Sequence, residues 1–346
     1  MSQRIVLIGP GAIGGITAAF LAKAGDDITL VCKHSSIVEL ASGKGLHITG
    51  VQGTLDVPVR AVKTIEDLEG TFDFCLIATK AYDMPDCARK MLPHLADDAL
   101  VVSMQNGICT DALSEVVGPA RTVGCVIGFG ATMKAPGELE MTSTGTFRIG
   151  MPDKSRPARL EELRRIMDTV VPAVISDDIY ADLYSKLIVN ACITALGAVC
   201  GLTLGEMMQR RDARRIFLGV ISEGVKVAEA EGLTIPPYAG KLDYHRLMKG
   251  TGLLACMRRH LTIRVMGIKY SRLKSSSLQS LERGRPTEVP YLNGYIVRKG
   301  AEAGVICPIN ERLTEMISQI EQGKRRITPD NLADLQLTAA LDDRVG

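Results

Sequence analysis

Ile5-Val6-Leu7-Ile8-Gly9-Pro10-Gly11-Ala12-Ile13-Gly14 is the stretch on which the fold turns. Its first four residues form an unbroken, β-branched apolar run, the pattern of a strand buried on both faces of a parallel sheet. The next six fit G-x-G-x-x-G, and residues 12–24 then keep helical spacing up to Gly25, a helix terminator. In that context Gly9 allows a tight turn, Gly11 lets a pyrophosphate approach the backbone, and Gly14 lets the helix pack close to the strand. Pro10, Ala12 and Ile13 complete the loop, and the helix N-terminus offers its N–H groups to the phosphates. A glycine-rich turn without a ligand is the alternative, and the strand–turn–helix context disfavours it.

Outward from this unit, strand and helix signals alternate. Residues 28–32, 72–79 and 100–104 read as strands, and residues near 85–95 as a helix. Such alternation implies a parallel sheet covered on both faces. Residues 45–59 read as a hairpin excursion, and residues 123–149, with recurrent glycine and threonine, as hairpins added to the sheet. After Asp178 the pattern is helical, with Asp177 or Asp178 as a cap. A long amphipathic helix over residues 211–231 leaves two partners open, its own domain or a second copy in a homodimer. Residues from 324 onward read as a poorly anchored, extended tail, and Lys324-Arg325-Arg326 as a solvated helix end. The expected fold class is α/β: an N-terminal Rossmann-type dinucleotide-binding domain over 1–176, an all-helical C-terminal substrate and catalytic domain over 177–323, and the tail.

Ligands of open α/β sheets gather at strand ends. The second strand runs into Cys32-Lys33-His34-Ser35-Ser36, with no acid for the ribose hydroxyls; Glu39 falls on the following helix. Lys33 can pair with a 2′-phosphate and Ser35 can hydrogen-bond to it, so the expected cofactor is NADP(H) over NAD(H). Lys80 and Asn106-Gly107 follow two further strands, where a surface lysine and a plain turn are the bland readings.

The helical half carries Lys186, Asn190 and Thr194, four residues apart in an otherwise apolar segment. This spacing puts an ammonium, an amide and a hydroxyl on one helix face. A lysine facing a cleft can hold a substrate oxygen and hand it a proton. The competing reading is a solvated face, which an ordinary surface helix would flank with more polar residues.

Composition narrows the classes. With 346 residues, 46% apolar and 23% charged, the chain is globular and long enough for two domains. A formal charge of +2 gives no argument for nucleic acid as a partner. Nine cysteines, an odd number with no C-x-x-C pair, point to a reducing compartment without disulfides or a zinc site, and the five scattered histidines form no metal-ligand pair. No signal peptide and no membrane-length apolar stretch are read, so the expectation is a soluble cytoplasmic protein with a small-molecule substrate and no membrane partner.

Five patches in order now carry a resemblance: the glycine loop; Thr79-Lys80-Ala81; Gln105-Asn106-Gly107; Lys186-Leu187-Ile188-Val189-Asn190; and Ser275-Ser276-Ser277-Leu278-Gln279 with Pro286-Thr287-Glu288 and Tyr291-Leu292-Asn293-Gly294. The chain resembles the ketopantoate reductase family (2-dehydropantoate 2-reductase, of the pantothenate pathway) over residues 1 to about 322. The resemblance implies an NADPH-dependent reduction of a 2-oxo acid to the 2-hydroxy acid. It implies Lys186 as the general acid, Asn190 beside it on the substrate, and Ser276 on the substrate carboxylate. Glu288 would contact the nicotinamide ribose and orient the site, Asn106 would bridge cofactor and substrate, Lys80 would lie near the nicotinamide end, and Lys33 would meet the 2′-phosphate. Ser275 to Ser277 read equally as a helix cap, and Glu288 as a first-turn acid.

The departures lie on the substrate side. Thr194, a candidate substrate contact, stands where many members of the family have a second asparagine; Leu204 stands near where some have another polar substrate contact, and Ser280 where an Asp is frequent. The segment before Ser276 is longer and basic, with Arg258, Arg259, Arg264, Lys269 and Arg272. They leave open another branched 2-oxo acid or a dicarbonyl as substrate. A non-catalytic NADP(H)-sensing module would keep the glycine loop but would need no lysine face.

Overall fold

The computed structural model describes residues 3–269 and 271–345. The chain divides into two compact units, Met1–Leu183 and Tyr184–Gly346. The first runs β1 (Arg4–Ile8), α1 (Ala12–Ala24), β2 (Asp27–Val31), α2 (Ser35–Ser42), β3 (Leu46–Gly50), β4 (Leu55–Val57), β5 (Arg60–Val62), β6 (Phe72–Ile77), α3 (Met84–Met91), β7 (Leu95–Ser103), α4 (Thr110–Val117), β8 (Thr122–Ile127), β9 (Gly130–Ala135), β10 (Glu138–Ser143), β11 (Phe147–Gly150), α5 (Ala158–Asp168) and β12 (Ala173–Ile175).

Eight strands form one sheet in the order β12-β11-β8-β7-β6-β1-β2-β5. From β5 to β8 all pairs are parallel, and β11 enters antiparallel to β8. The apolar runs sit where a sheet covered on both faces puts them: Ile5, Val6, Leu7, Phe74, Cys75, Leu76 and Ile77 are all 0% exposed. The order reverses at β1. The chain lays β2 and β5 on one side of it, then returns to lay β6, β7 and β8 on the other. This is the expected Rossmann-type arrangement, with its switch point between β1 and β6. At the opposite edge Arg159 of α5, 19% exposed, binds Asp73, Asp98 and Glu162 and fastens the helix under the sheet.

Residues 123–149 do more than extend this sheet. β9 and β10 leave it and join the β3–β4 hairpin in a second sheet, β4-β3-β10-β9, with β10 parallel to β3. The glycines expected to mark added hairpins mark a pinch instead. A Cβ at Gly145 would lie 2.2 Å from the Gly128 carbonyl carbon, and one at Gly128 would lie 2.6 Å from the Thr146 oxygen. Only bare backbone lets the outgoing and returning chain cross there. The small sheet buries Leu139 and Met141 and packs on α1.

The second unit is helical: α6 (Ile179–Cys200), which begins in the first unit, then α7 (Leu204–Gln209), α8 (Arg211–Ala230), α9 (Tyr244–Met248), α10 (Gly252–Lys269), α11 (Ser276–Glu282), α12 (Asn293–Glu302), α13 (Pro308–Glu321) and α14 (Leu335–Val345). Asp178 is the cap of α6, its carboxylate accepting the Ala181 N–H at 3.2 Å. α6 corrects the expectation that no apolar stretch reaches membrane length: it has 22 residues, and an 18-residue window within it has a mean hydropathy of 1.6, but 83% of that window is buried inside the protein, as in a core helix. α8 takes its own unit as partner. Its Glu223, 0% exposed, accepts the Ile309 and Asn310 N–H groups and the Asn310 side chain, closing the N-terminus of α13.

The segment beyond residue 323 is not an extended tail. Leu332, Leu337 and Leu341 are buried, and α14 packs on α8 and α13. Arg325 is no solvated helix end: it reaches Gln319, Asn331 and Asp334, while Arg312 forks onto the same Asp334 carboxylate at 3.0 and 2.8 Å. The Arg312 hydrogen bonds outweigh the cost of burial and hold the Asp334 carboxyl down at about 2. A lowered carboxylate pKa contributes stability above the unfolded value near 4 and loses it as pH falls toward 2. Asp334→Asn is therefore expected to cost about 2 kcal/mol at neutral pH. In urea titrations the gap from the wild type should shrink between pH 5 and pH 2; a gap that stays constant over this range would count against the clamp.

Candidate active site

The first group of expected residues lies along one edge of the parallel sheet, at the C-terminal ends of its strands. Gly9 leaves β1 with φ +106°, and its N–H donates to the Val31 carbonyl at 3.1 Å. A Cβ there would sit 2.9 Å from the Ala78 carbonyl carbon and the Thr79 nitrogen. A Cβ on Gly14 would lie 2.1 Å from the Gly9 oxygen and 2.9 Å from the Ala78 Cβ, so α1 reaches the strand only because that atom is missing. Gly11 is different: its Cβ position has nothing within 4 Å. The space above Gly11 is open, at the head of a helix with no side-chain cap and no acid in its first turn. Those are the conditions an anion needs. The loop therefore fits a dinucleotide pyrophosphate, with Gly9, Pro10, Gly11, Ala12, Ile13 and Gly14 as its cradle.

Lys33 is exposed between β2 and α2, Lys80 is exposed just past β6, and Asn106 is exposed past β7 before Gly107 at φ +90°. Glu39 lies on α2, as read from the sequence. Gln105 went unnoticed there as more than a motif neighbour. It is 5% exposed, its amide donates to the Ile77 and Thr79 carbonyls at 2.8 and 3.2 Å, and its oxygen accepts from Ser103 at 2.7 Å. It ties the end of β7 to the end of β6 and so fixes where Lys80 and Asn106 emerge. Its signal in the sequence was a polar residue directly closing an apolar strand.

The second group lies on α6. From Leu183 to Cys200 the helix is buried except at Lys186, Asn190 and Ile193, which form one stripe. The backbone on either side of Lys186 is pinned. Tyr184, 0% exposed, hydrogen-bonds to the Glu231 carboxylate, the Ser185 hydroxyl donates to Pro236 at 2.9 Å, and Tyr244 donates to the Ser185 carbonyl. Burial pushes the Tyr244 phenol well up, which keeps it a donor. Thr194 is 8% exposed and its hydroxyl donates to the Asn190 carbonyl at 2.7 Å, so its proton is committed to its own helix.

Ser275 and Ser276 divide their roles. Ser275 is the buried cap of α11, accepting the Leu278 N–H at 3.1 Å, whereas Ser276 is exposed at the first helical position. A Cβ at Gly197 would come within 2.6 Å of the Ser275 Oγ, so this glycine brings the head of α11 against α6. Glu288 is 8% exposed and opens the short turn before α12. Asn293, the first residue of α12, is fully buried and donates to the Ala191 carbonyl of α6 at 3.3 Å and to Asn310 at 2.9 Å; Asn310 in turn donates to Glu223. This chain of amides, also missed in the sequence, anchors α6 next to Asn190. A cavity of about 890 Å³ bordered by Lys226, His245, Lys249, Cys256 and Arg259 contains none of the expected site residues.

Known proteins match both units in sequence and fold. Residues 5–154 match the family described as Ketopantoate reductase PanE/ApbA, and residues 178–321 match Ketopantoate reductase PanE/ApbA C terminal. A 2-dehydropantoate 2-reductase from Archaeoglobus fulgidus is 27% identical over 324 residues, covering 93% of this chain and 99% of its own. Among solved structures, a PanE/ApbA family ketopantoate reductase from Ralstonia eutropha JMP134 is 27% identical with a TM-score of 0.79, covering 94% and 100% of the two chains. A D-mandelate dehydrogenase solved with NADH and anilino(oxo)acetate also has a TM-score of 0.79, over 93% and 99% of the chains; at 20% identity it supports the fold alone.

Proposed function

Since the chain belongs to the ketopantoate reductase family, and is thus an oxidoreductase, we propose that it uses NADPH to reduce the ketone of a 2-oxo acid to the 2-hydroxy acid, with 2-dehydropantoate (ketopantoate) to pantoate, in pantothenate biosynthesis, as its reaction. The observation that carries the proposal is the α6 stripe: between Leu183 and Cys200, Lys186 and Asn190 are the polar positions left partly open.

A bound nicotinamide supplies the hydride to the carbonyl carbon. Negative charge then develops on the carbonyl oxygen, where the Lys186 ammonium stabilises it and delivers the proton that completes the alcohol. The Asn190 amide binds the substrate beside that oxygen. Ser276 holds the substrate carboxylate, and Glu288 takes the nicotinamide ribose. Asn106 bridges cofactor and substrate, Lys80 lies toward the nicotinamide end, and the glycine loop takes the pyrophosphate. Lys33, exposed past β2 with no acid beside it in the turn, meets the 2′-phosphate.

Thr194 favours a second reading of the substrate. With its hydroxyl proton used by α6, it offers less hydrogen bonding than the usual asparagine, which suits another branched 2-oxo acid. Loss of NADPH absorbance with a panel of 2-oxo acids tests both readings, and a large preference for a compound other than ketopantoate would overturn the first. In the same assay Lys33→Ala is expected to raise the KM for NADPH about tenfold and to leave that for NADH unchanged. Equal effects on the two cofactors would remove the 2′-phosphate role.

A further inference from the structure

The cavity of about 890 Å³ in the helical unit is bordered by α8, α9, the turn Lys249-Gly250-Thr251 and the head of α10. Three of its side chains are cations: Lys226, Lys249 and Arg259. Among the described residues on the border there is one carboxylate, Glu229, and it lies 3.2 Å from Nδ1 of His245. The cavity is therefore positively charged, and its acid is engaged with a neighbour on its own wall.

α10 is apolar on both faces. It buries Ala255 and Ile263, packs on α7, α8 and α9, and leaves Leu254, Leu261 and Val265 exposed. Its N-terminal end is the part that borders the cavity, with Gly252, Leu253 and Cys256. The first turn contains no acid. Gly252 has φ +81°, and a Cβ there would meet no atom within 4 Å. Open glycine backbone at a helix head without an acid is also what Gly11 presents at the dinucleotide loop, and it suits an anion in the same way.

Arg259 is an observation independent of the helix end. It donates to the Met248 carbonyl at 2.7 Å and to the Gly250 carbonyl, while its Nε is buried without a hydrogen-bond partner. A buried donor with no acceptor is costly, and an anion lodged against the guanidinium offsets that cost. Arg258 donates to the Leu247 and Lys249 carbonyls, so two arginines fasten the turn to α10. The wall is set before any ligand arrives, which lowers the entropy lost on binding.

We propose that this cavity binds a phosphorylated small molecule, at a site separate from the glycine loop. The phosphate lies among Lys226, Lys249, the Arg259 guanidinium and the head of α10. Val225, Met248 and Leu253, on the same border, take an apolar body, which a bare inorganic ion lacks. Three cations and a helix head match the nearly two negative charges of a phosphomonoester better than the single charge of a carboxylate. The volume is in the range of small-molecule sites. None of these residues takes part in the proposed reduction, so the site stands or falls independently of the reductase reading.

Phenyl phosphate is the probe, with benzyl alcohol as its uncharged counterpart. In calorimetric titrations of the full chain, phenyl phosphate should bind at least about tenfold more tightly than benzyl alcohol. Lys226→Ala and Lys249→Ala should each weaken it about fivefold. Both lysines are exposed, so the variants should keep the wild-type melting temperature. Cys256 reports the place. It is partly exposed, as is Cys87 of α3 in the other unit. Alkylation of Cys256 by iodoacetamide, followed by peptide mass spectrometry, should slow with phenyl phosphate, while Cys87 keeps its rate. Equal affinity for the two probes, binding indifferent to both lysines, an unprotected Cys256, or equal protection of the two cysteines would each overturn the proposal.

Discussion

Replacing Lys186 by Ala is expected to lower turnover by about 10²–10⁴-fold, the usual worth of a positioned general acid, while NADPH binds as before. The separation of the two readouts follows from where the residue sits. Lys186 belongs to the helical unit, whereas the glycine loop, Lys33, Lys80 and Asn106 belong to the other. Ala is a good helix former, and the backbone around position 186 is held by Tyr184, Ser185 and Tyr244. The fold should therefore survive. NADPH fluorescence titration gives the binding arm and single-turnover absorbance the chemical arm. Unchanged turnover would reject the mechanism, and loss of both arms would mean that the substitution acts on the fold.

The second large effect separates two glycines that a motif treats alike. Gly14→Ala should destabilise the protein and abolish dinucleotide binding together, because its methyl group must displace the Gly9 carbonyl that it would meet at 2.1 Å. Overpacking of this kind costs about 1–3 kcal/mol even before the loop is distorted. Gly11→Ala should leave the melting temperature alone, since its methyl group meets no protein atom within 4 Å, and yet weaken binding about tenfold or more by filling the space kept for phosphate. Melting curves and NADPH titrations on the two variants measure both quantities. Tight binding by Gly11→Ala would remove the pyrophosphate from that space.

What could be read from the chain was what is local. The strand–turn–helix at residues 5–24 and the Asp178 cap depend on neighbours a few residues away, so their chemistry is written in order. Strand partnership is not local. The pairing of His47 with Glu138 joins segments about ninety residues apart, and nothing in 123–149 distinguishes a hairpin added to one sheet from one that founds another. The tail was misread because its charges were counted as solvated; its Leu337 and Leu341, four apart behind Asp334, are an ordinary buried helix stripe. α10 was opaque for the opposite reason. Apolar residues on both faces leave no periodicity to say which face is inner. In the candidate site, the stripe of Lys186 and Asn190 was visible because polar residues stand out on an apolar helix. Gln105 and Asn293 stayed hidden because their work is done on backbone carbonyls of distant segments.

The second sheet has a consequence for binding at the other face of α1. Leu139 of β10 fills the place where a side chain at Gly15 would begin, 2.5 Å from its Cβ position. The helix is thus pressed from one side by the small sheet and from the other, at Gly14, by β1 and Ala78. A phosphate-binding loop confined in this way gives up its conformational freedom when the chain folds, so little ordering entropy is left to lose when a nucleotide arrives. Affinity at this loop is in part a property of β3, β4, β9 and β10, four strands that need never touch the ligand.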